Sequence, residues 1–174
     1  LARELAARGK LPPDRCLALA LDLAATLEHL HGHQLIHRDI KPSNIIFVNQ
    51  IPKLADIGLV TDIAGTGREA TYLGTEGFIA PEGPGTPAAD VYSLGKVIYE
   101  AATGLDRRRF PDLPTAMVAA EESPLLAALN KIILHACERD PRRRYASAAA
   151  LHENLWRLKE AAPQRKLRLW RGAP

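Results

Sequence analysis

Cysteine and long apolar runs are scarce in this sequence. The 174 residues include two cysteines, Cys16 and Cys137, which lie far apart and form no Cys-x-x-Cys pair. This spacing suggests neither a disulfide framework nor a zinc site, and it favours a reducing compartment. No apolar run approaches the roughly 20 residues of a membrane span, because Asp22 interrupts the longest one. We therefore expect a soluble cytoplasmic chain, or one at the cytoplasmic face of a membrane protein whose membrane segments lie outside it.

Aromatic residues are also few, at 5% of the sequence, although the net charge is +3. The basic excess lies in three runs, at 107–109, 142–144 and 165–171. Surfaces that bind nucleic acid combine basic side chains with aromatic stacking platforms, whereas these three runs contain a single aromatic, Trp170. We expect no nucleic-acid partner and interpret the runs as solvated surface. For residues 107–109, docking of a substrate is the second interpretation.

The apolar pattern predicts a mostly helical α+β fold. Apolar residues recur at three- and four-residue steps over 14–31, and similar patterns cover 1–7, 88–103, 125–137 and 147–159. We expect Asp14 and Ser147 to cap their helices and Gly32 and Gly104 to end theirs. Two short apolar runs, 45–48 and 51–54, predict a β-hairpin that turns at Asn49 and Gln50.

One polar stretch carries most of the chemistry: His37-Arg38-Asp39-Ile40-Lys41-Pro42-Ser43-Asn44. Its proline and polar residues predict a loop. An aspartate can accept a proton from an attacking hydroxyl, a lysine two residues later can neutralise a phosphoryl group, and an asparagine oxygen suits Mg²⁺.

This stretch resembles the catalytic loop of protein kinases, and Lys41 resembles the Ser/Thr branch of that family. Four further motifs follow in the family's order: Asp56-Ile57-Gly58, Ala80-Pro81-Glu82, Asp90-Val91-Tyr92-Ser93-Leu94-Gly95, and Arg144 within Asp140-Pro141-Arg142-Arg143-Arg144-Tyr145. The resemblance implies a kinase C-terminal lobe at 1–162 and a basic linker or juxtamembrane tail at 163–174. Nothing upstream resembles the N-terminal lobe, so we interpret the chain as a kinase fragment that is inactive alone.

The resemblance implies a role for each matching residue. Asp39, Lys41 and Asn44 would be catalytic, Asn44 and Asp56 would hold Mg²⁺, and Lys41, Asp56 and Ile46 would contact ATP. For Ile46, whose side chain would lie under the adenine ring, a core position is the alternative. Ile57 replaces the usual phenylalanine, which we interpret as a tolerated variant.

The resemblance also implies supporting residues. Asp90 would accept hydrogen bonds from catalytic-loop amides, with helix capping as the alternative, and Glu82 would pair with Arg144. His37, Arg38 and Gly58 complete the structural set. The activation segment would be residues 58–80. Within it, Thr75 would contact Asp39 and Lys41, while Thr66 and Thr71 are candidates for a regulatory phosphate that Arg38 could bind.

These residues predict transfer of the ATP γ-phosphate to a Ser/Thr hydroxyl of a protein substrate, by a longer chain that includes the N-terminal lobe. The alternative is a catalytically silent kinase-fold scaffold. The retained Asp39, Lys41, Asn44 and Asp56 argue against the scaffold, which has no chemical need for them.

Overall fold

The computed structural model describes residues 1–56, 61–62, 75–114 and 123–162, the side chains of 61–62 excepted. The described helices are α1 (Ala2–Arg8), α2 (Pro13–Gly32), α3 (Pro87–Thr103), α4 (Pro124–Ala136) and α5 (Ala148–Ala161). The strands are β1 (Leu35–Ile36), β2 (Ile45–Val48), β3 (Ile51–Leu54) and β4 (Thr61–Asp62). The predicted mostly helical fold with a short hairpin is therefore confirmed.

The helix ends test the capping predictions. Gly104 ends α3 in the left-handed conformation with φ of 71°, and the Ser147 side chain accepts a hydrogen bond from the Ala150 amide at the start of α5. The prediction for Asp14 was wrong. Helix α2 begins at Pro13, and its N-cap is Pro12, whose side chain makes no hydrogen bond. Proline suits the first helical position because it lacks the N–H that would otherwise need a partner there.

The hairpin has the predicted strands and turn. Strands β2 and β3 are antiparallel with Val48 opposite Ile51, so two residues form the turn. Asn49 and Gln50 both have positive φ, at 50° and 68°, as a type I′ turn requires. Strand β1, which leads toward the polar stretch, pairs antiparallel with β4.

The core lies between α2 and the helices around it. Helix α2 packs against α5 and α3, and α4 packs against both of these. Leu23 and Leu27 of α2 and Leu94 of α3 are fully buried. Cys16 and Cys137 are free and buried, and burial raises the pKa of each thiol to about 12. None of the described helices is both long and apolar enough to cross a membrane.

Gly95 lets α3 approach α4 closely. A Cβ at this position would lie 2.6 Å from Cys137 Sγ and 3.1 Å from the Ala136 Cβ. We expect Gly95→Ala to lower the free energy of unfolding by about 1 to 3 kcal/mol, because the added methyl overpacks the contact. Urea denaturation measures the change.

Gly32→Ala is the matched control, since Gly32 also lies in a helix but, apart from its chain neighbours and its own helix backbone, has no atom within 4 Å of its ideal Cβ. We expect its free energy of unfolding to stay within about 1 kcal/mol of the parent value. Equal losses in the two variants would contradict the close-contact explanation.

Candidate active site

The carboxylate of Asp39 is the centre of the polar loop at 37–44, which we call the catalytic loop. Its Oδ2 lies 2.6 Å from Lys41 Nζ and accepts a hydrogen bond from Asn44 Nδ2 at 2.9 Å. Its Oδ1 accepts a longer hydrogen bond, 3.5 Å, from the Thr75 hydroxyl. The three donors fix the carboxylate while Oδ1 keeps capacity for a further donor. The loop thus places a proton acceptor beside a cation.

Asp90, in the first turn of α3, holds the catalytic loop from behind. Its carboxylate accepts hydrogen bonds from the amides of His37 at 2.8 Å and Arg38 at 2.9 Å. Arg38 has φ of 70°, a strained conformation for a non-glycine residue that these contacts stabilise. The N-cap contact of α3 comes instead from Thr86, whose side chain accepts from the Ala89 amide. Of the two interpretations of Asp90, the structure shows the loop contacts.

Asn44 uses its amide nitrogen inside the catalytic loop, and its Oδ1 accepts a long hydrogen bond, 3.4 Å, from the Ser43 hydroxyl. Its Nδ2 donates to both the backbone oxygen and the carboxylate of Asp39, so the opposite side of the amide is its oxygen. The Ala55 amide donates to the Asn44 backbone oxygen at 2.7 Å, which brings the exposed Asp56 to the same end of the hairpin. A carboxylate and an amide side chain on residues at this end of the hairpin are the donor types that Mg²⁺ prefers.

The hairpin presents apolar side chains to solvent. Ile46 is 47% exposed, so the core alternative for this residue does not hold within the described chain. Val48 and Ile51 are similarly exposed. Exposed apolar side chains in one group indicate a surface that another apolar group covers.

A groove of about 280 Å³ opens beside the catalytic loop. Its walls include Lys41 and Pro42 of the catalytic loop, together with Thr75, Phe78, Glu100 and Arg107. The groove therefore lies next to the Asp39 carboxylate, where an extended segment of another chain could place a hydroxyl.

The family model for the protein kinase domain matches residues 1–156. The chain belongs to the protein kinase family. It is 32% identical to the serine/threonine-protein kinase PknB of Mycolicibacterium smegmatis and 31% identical to PknB of Mycobacterium tuberculosis strain H37Ra, over 87% and 89% of this chain. It is 32% identical over 85% of its length to the serine/threonine-protein kinase PknL of M. tuberculosis. The chain spans 27%, 28% and 41% of these three relatives.

The kinase motifs meet around α3. Arg144, whose side chain is fully buried, donates two hydrogen bonds to Glu82, at 2.5 and 2.7 Å, so the pair implied by the resemblance is present. Arg144 also donates to three backbone oxygens, including that of Ala88. The pair fastens the end of the activation segment to α3 and to the loop before α5.

Some predicted residues lie outside the described part of the kinase chain, namely Ile57, Gly58, Thr66 and Thr71, together with the tail at 163–174. Thr75 is described and contacts Asp39; no contact of Thr75 with Lys41 is seen in the described structure. His37 is buried, and its Nδ1 lies 3.4 Å from the Asp39 amide.

Two residues were missed from sequence. His31 Nε2 lies 2.9 Å from the Asp90 carboxylate. The sequence held a signal for this residue, because His31 lies near the end of α2 and six residues before His37. Arg107 was interpreted as solvated surface, which is wrong for this member of the run. Its side chain is 23% exposed, against 65% for Arg108 and 60% for Arg109. Nothing in the local sequence distinguishes the three arginines.

Removal of Glu82 tests the ion pair. We expect Glu82→Ala to lower the free energy of unfolding by about 3 to 5 kcal/mol, because the buried Arg144 charge loses its counter-ion. Urea denaturation of the chain measures the loss.

Glu138→Ala is the matched control, because the Glu138 carboxylate lies 3.9 Å from the exposed Arg143 and makes the weaker surface pair. We expect it to change the free energy of unfolding by no more than about 0.5 kcal/mol. A loss below about 1 kcal/mol for Glu82→Ala would show that the pair contributes no more than a surface contact.

Proposed function

We propose that the protein transfers the γ-phosphate of ATP to a serine or threonine hydroxyl of a protein substrate. The observation that carries the proposal is the Asp39 carboxylate, held by Lys41, Asn44 and Thr75 beside a groove of about 280 Å³. The similarity to mycobacterial serine/threonine-protein kinases supports the same chemistry.

Asp39 accepts the proton of the substrate hydroxyl in this proposal. Lys41 and Asn44 both contact Oδ2, and Oδ1 has only the long contact with Thr75 among the described residues, so Oδ1 is the oxygen available to the hydroxyl. The Lys41 ammonium stabilises negative charge that develops beside Asp39. The residues of the chain thus orient the hydroxyl and hold its proton.

Asn44 and Asp56 are the residues that would hold Mg²⁺, with the exposed Ile46 against the adenine ring and Lys41 close to the phosphates. Bound ATP and Mg²⁺ supply the phosphoryl group and neutralise its charge. We further propose that nucleotide binding requires a second lobe of the same protein, above the hairpin. The exposed Ile46, Val48 and Ile51 support this, because a second lobe would cover them together with the nucleotide.

Regulation and location complete the proposal. Arg38 Nε is buried and has no hydrogen-bond partner among the described residues. A phosphate on Thr66 or Thr71 would supply acceptor oxygens for it and order the activation segment. Mass spectrometry of the protein after incubation with ATP and Mg²⁺ tests for this phosphate, and its absence from an active sample would exclude the regulatory role.

We place the reaction in the cytoplasm or at the cytoplasmic face of a membrane.

The protein expressed from its complete gene tests the catalytic proposal. We expect the parent to incorporate labelled phosphate into serine or threonine of a general protein substrate. Asp39→Asn should lower kcat by about 10² to 10⁴, because the amide cannot accept the proton, with ATP affinity retained. Asp56→Asn should instead weaken Mg²⁺-dependent ATP binding, which calorimetry measures.

Asp112→Asn is the matched control, since Asp112 is exposed and pairs with the exposed Arg109 away from the site. Its kcat should equal that of the parent. A folded parent that binds no ATP and transfers no phosphate would support the scaffold alternative. Transfer that survives in Asp39→Asn would reject the role of Asp39.

A further inference from the structure

Arg107, alone of its arginine run, reaches the turn that carries Thr75. Its Nε donates to the Glu76 backbone oxygen at 2.8 Å, and its guanidinium carbon lies 4.5 Å from the centre of the Phe78 ring. Arg108 and Arg109 contact only exposed carboxylates among the described residues. Arg107 is therefore a structural part of the groove wall.

The turn at 75–78 is shaped to receive this side chain. The Phe78 amide donates to the Thr75 oxygen at 3.1 Å, and Gly77 has φ of 85°. A Cβ on Gly77 would lie 2.8 Å from the Arg107 Cγ, so the turn and the arginine stem are in close contact. The guanidinium and the stem cover the turn from the solvent side.

The opposite side of the turn is fixed by α3. The Ser93 hydroxyl donates to the Phe78 oxygen at 2.8 Å, and the Phe78 side chain is buried. Ser93 and Arg107 thus hold the turn from two sides. Thr75, at its first position, directs its hydroxyl to Asp39.

Glu100 holds Arg107 in this position. The Glu100 carboxylate accepts a hydrogen bond from the Arg107 amide at 3.0 Å and lies 3.3 Å from Arg107 Nη1. The Asp106 carboxylate lies 3.7 Å from the same nitrogen. A guanidinium can make these contacts together with the bond to Glu76 because its donors diverge in a rigid fork. A lysine ammonium, as a point charge, cannot reproduce the set.

We infer that Arg107 is a positioning residue for phosphoryl transfer, which fixes the turn at 75–78 and thereby keeps Thr75 against Asp39. The inference rests on the proposed function for its catalytic consequence, whereas its effect on the turn is independent of it. Arg107 itself contacts neither Asp39 nor Lys41 among the described contacts.

Hydrogen exchange of the protein expressed from its complete gene, read by mass spectrometry over residues 75–80, tests the effect on the turn. We expect Arg107→Ala to speed exchange there by about tenfold, because a charged hydrogen bond and the ring contact are lost. Arg108→Ala is the matched control and should exchange like the parent. Equal exchange in all three chains would overturn the inference.

Arg107→Lys is the second variant. This variant keeps a positive charge near Glu100 and loses the guanidinium fork. We therefore expect its thermal unfolding temperature to equal that of the parent and its hydrogen exchange at 75–80 to be faster. Full protection in Arg107→Lys would show that a positive charge alone holds the turn, and it would overturn the role of the guanidinium fork.

Peptide phosphorylation by the protein expressed from its complete gene tests the catalytic consequence. We expect Arg107→Ala to lower kcat/KM for peptide by about tenfold with KM for ATP unchanged, and Arg108→Ala to retain the parent value. In a Thr75→Ala background Arg107→Ala should add little, because both act through one contact. Multiplying effects would overturn the link through Thr75. If the parent protein transfers no phosphate, the proposed function is rejected. The hydrogen-exchange result then tests on its own whether Arg107 fixes the turn.

Discussion

The buried carboxylate of Asp90 is the contact on which the rest of the site depends. It satisfies two consecutive amides of the catalytic loop and contacts His31, so one side chain joins α2, α3 and the loop. Without it, two N–H groups would lie in a poorly solvated place without partners, and the strained Arg38 would lose its support. The position of Asp39 therefore depends on the helical core as well as on the catalytic loop itself.

Around this contact, the buried guanidinium of Arg144 is matched, whereas its two neighbours in the arginine run are left to solvent. Arg144 has a full set of acceptors, including Glu82, whereas Arg142 and Arg143 are exposed. The cost of burying a guanidinium is offset only when its donors are satisfied. The same rule explains why Arg107 lies against Glu100 and a backbone oxygen while its two neighbours reach outward.

Much of this arrangement could be predicted from the sequence, because the signals were local or came as an ordered series. The hairpin turn at Asn49 and Gln50 and the end of α3 at Gly104 follow from short-range conformational preferences. The contacts of Asp90 and Glu82 were accessible only through the order of the kinase motifs. The role of Arg107 could be predicted neither from local preferences nor from the order of the motifs. Its environment comes from residues 76–78 and 100, which only the fold brings beside it.

Helix α3 supports both walls of the groove. Near its beginning it holds the catalytic loop, at Ser93 it holds the opposite turn, and after its end comes the arginine that covers that turn. Asp90 and Ser93 lie three residues apart, within one turn of the helix. One turn of α3 is therefore the common reference for the proton acceptor and for the turn that carries Thr75, and a local change there reaches both.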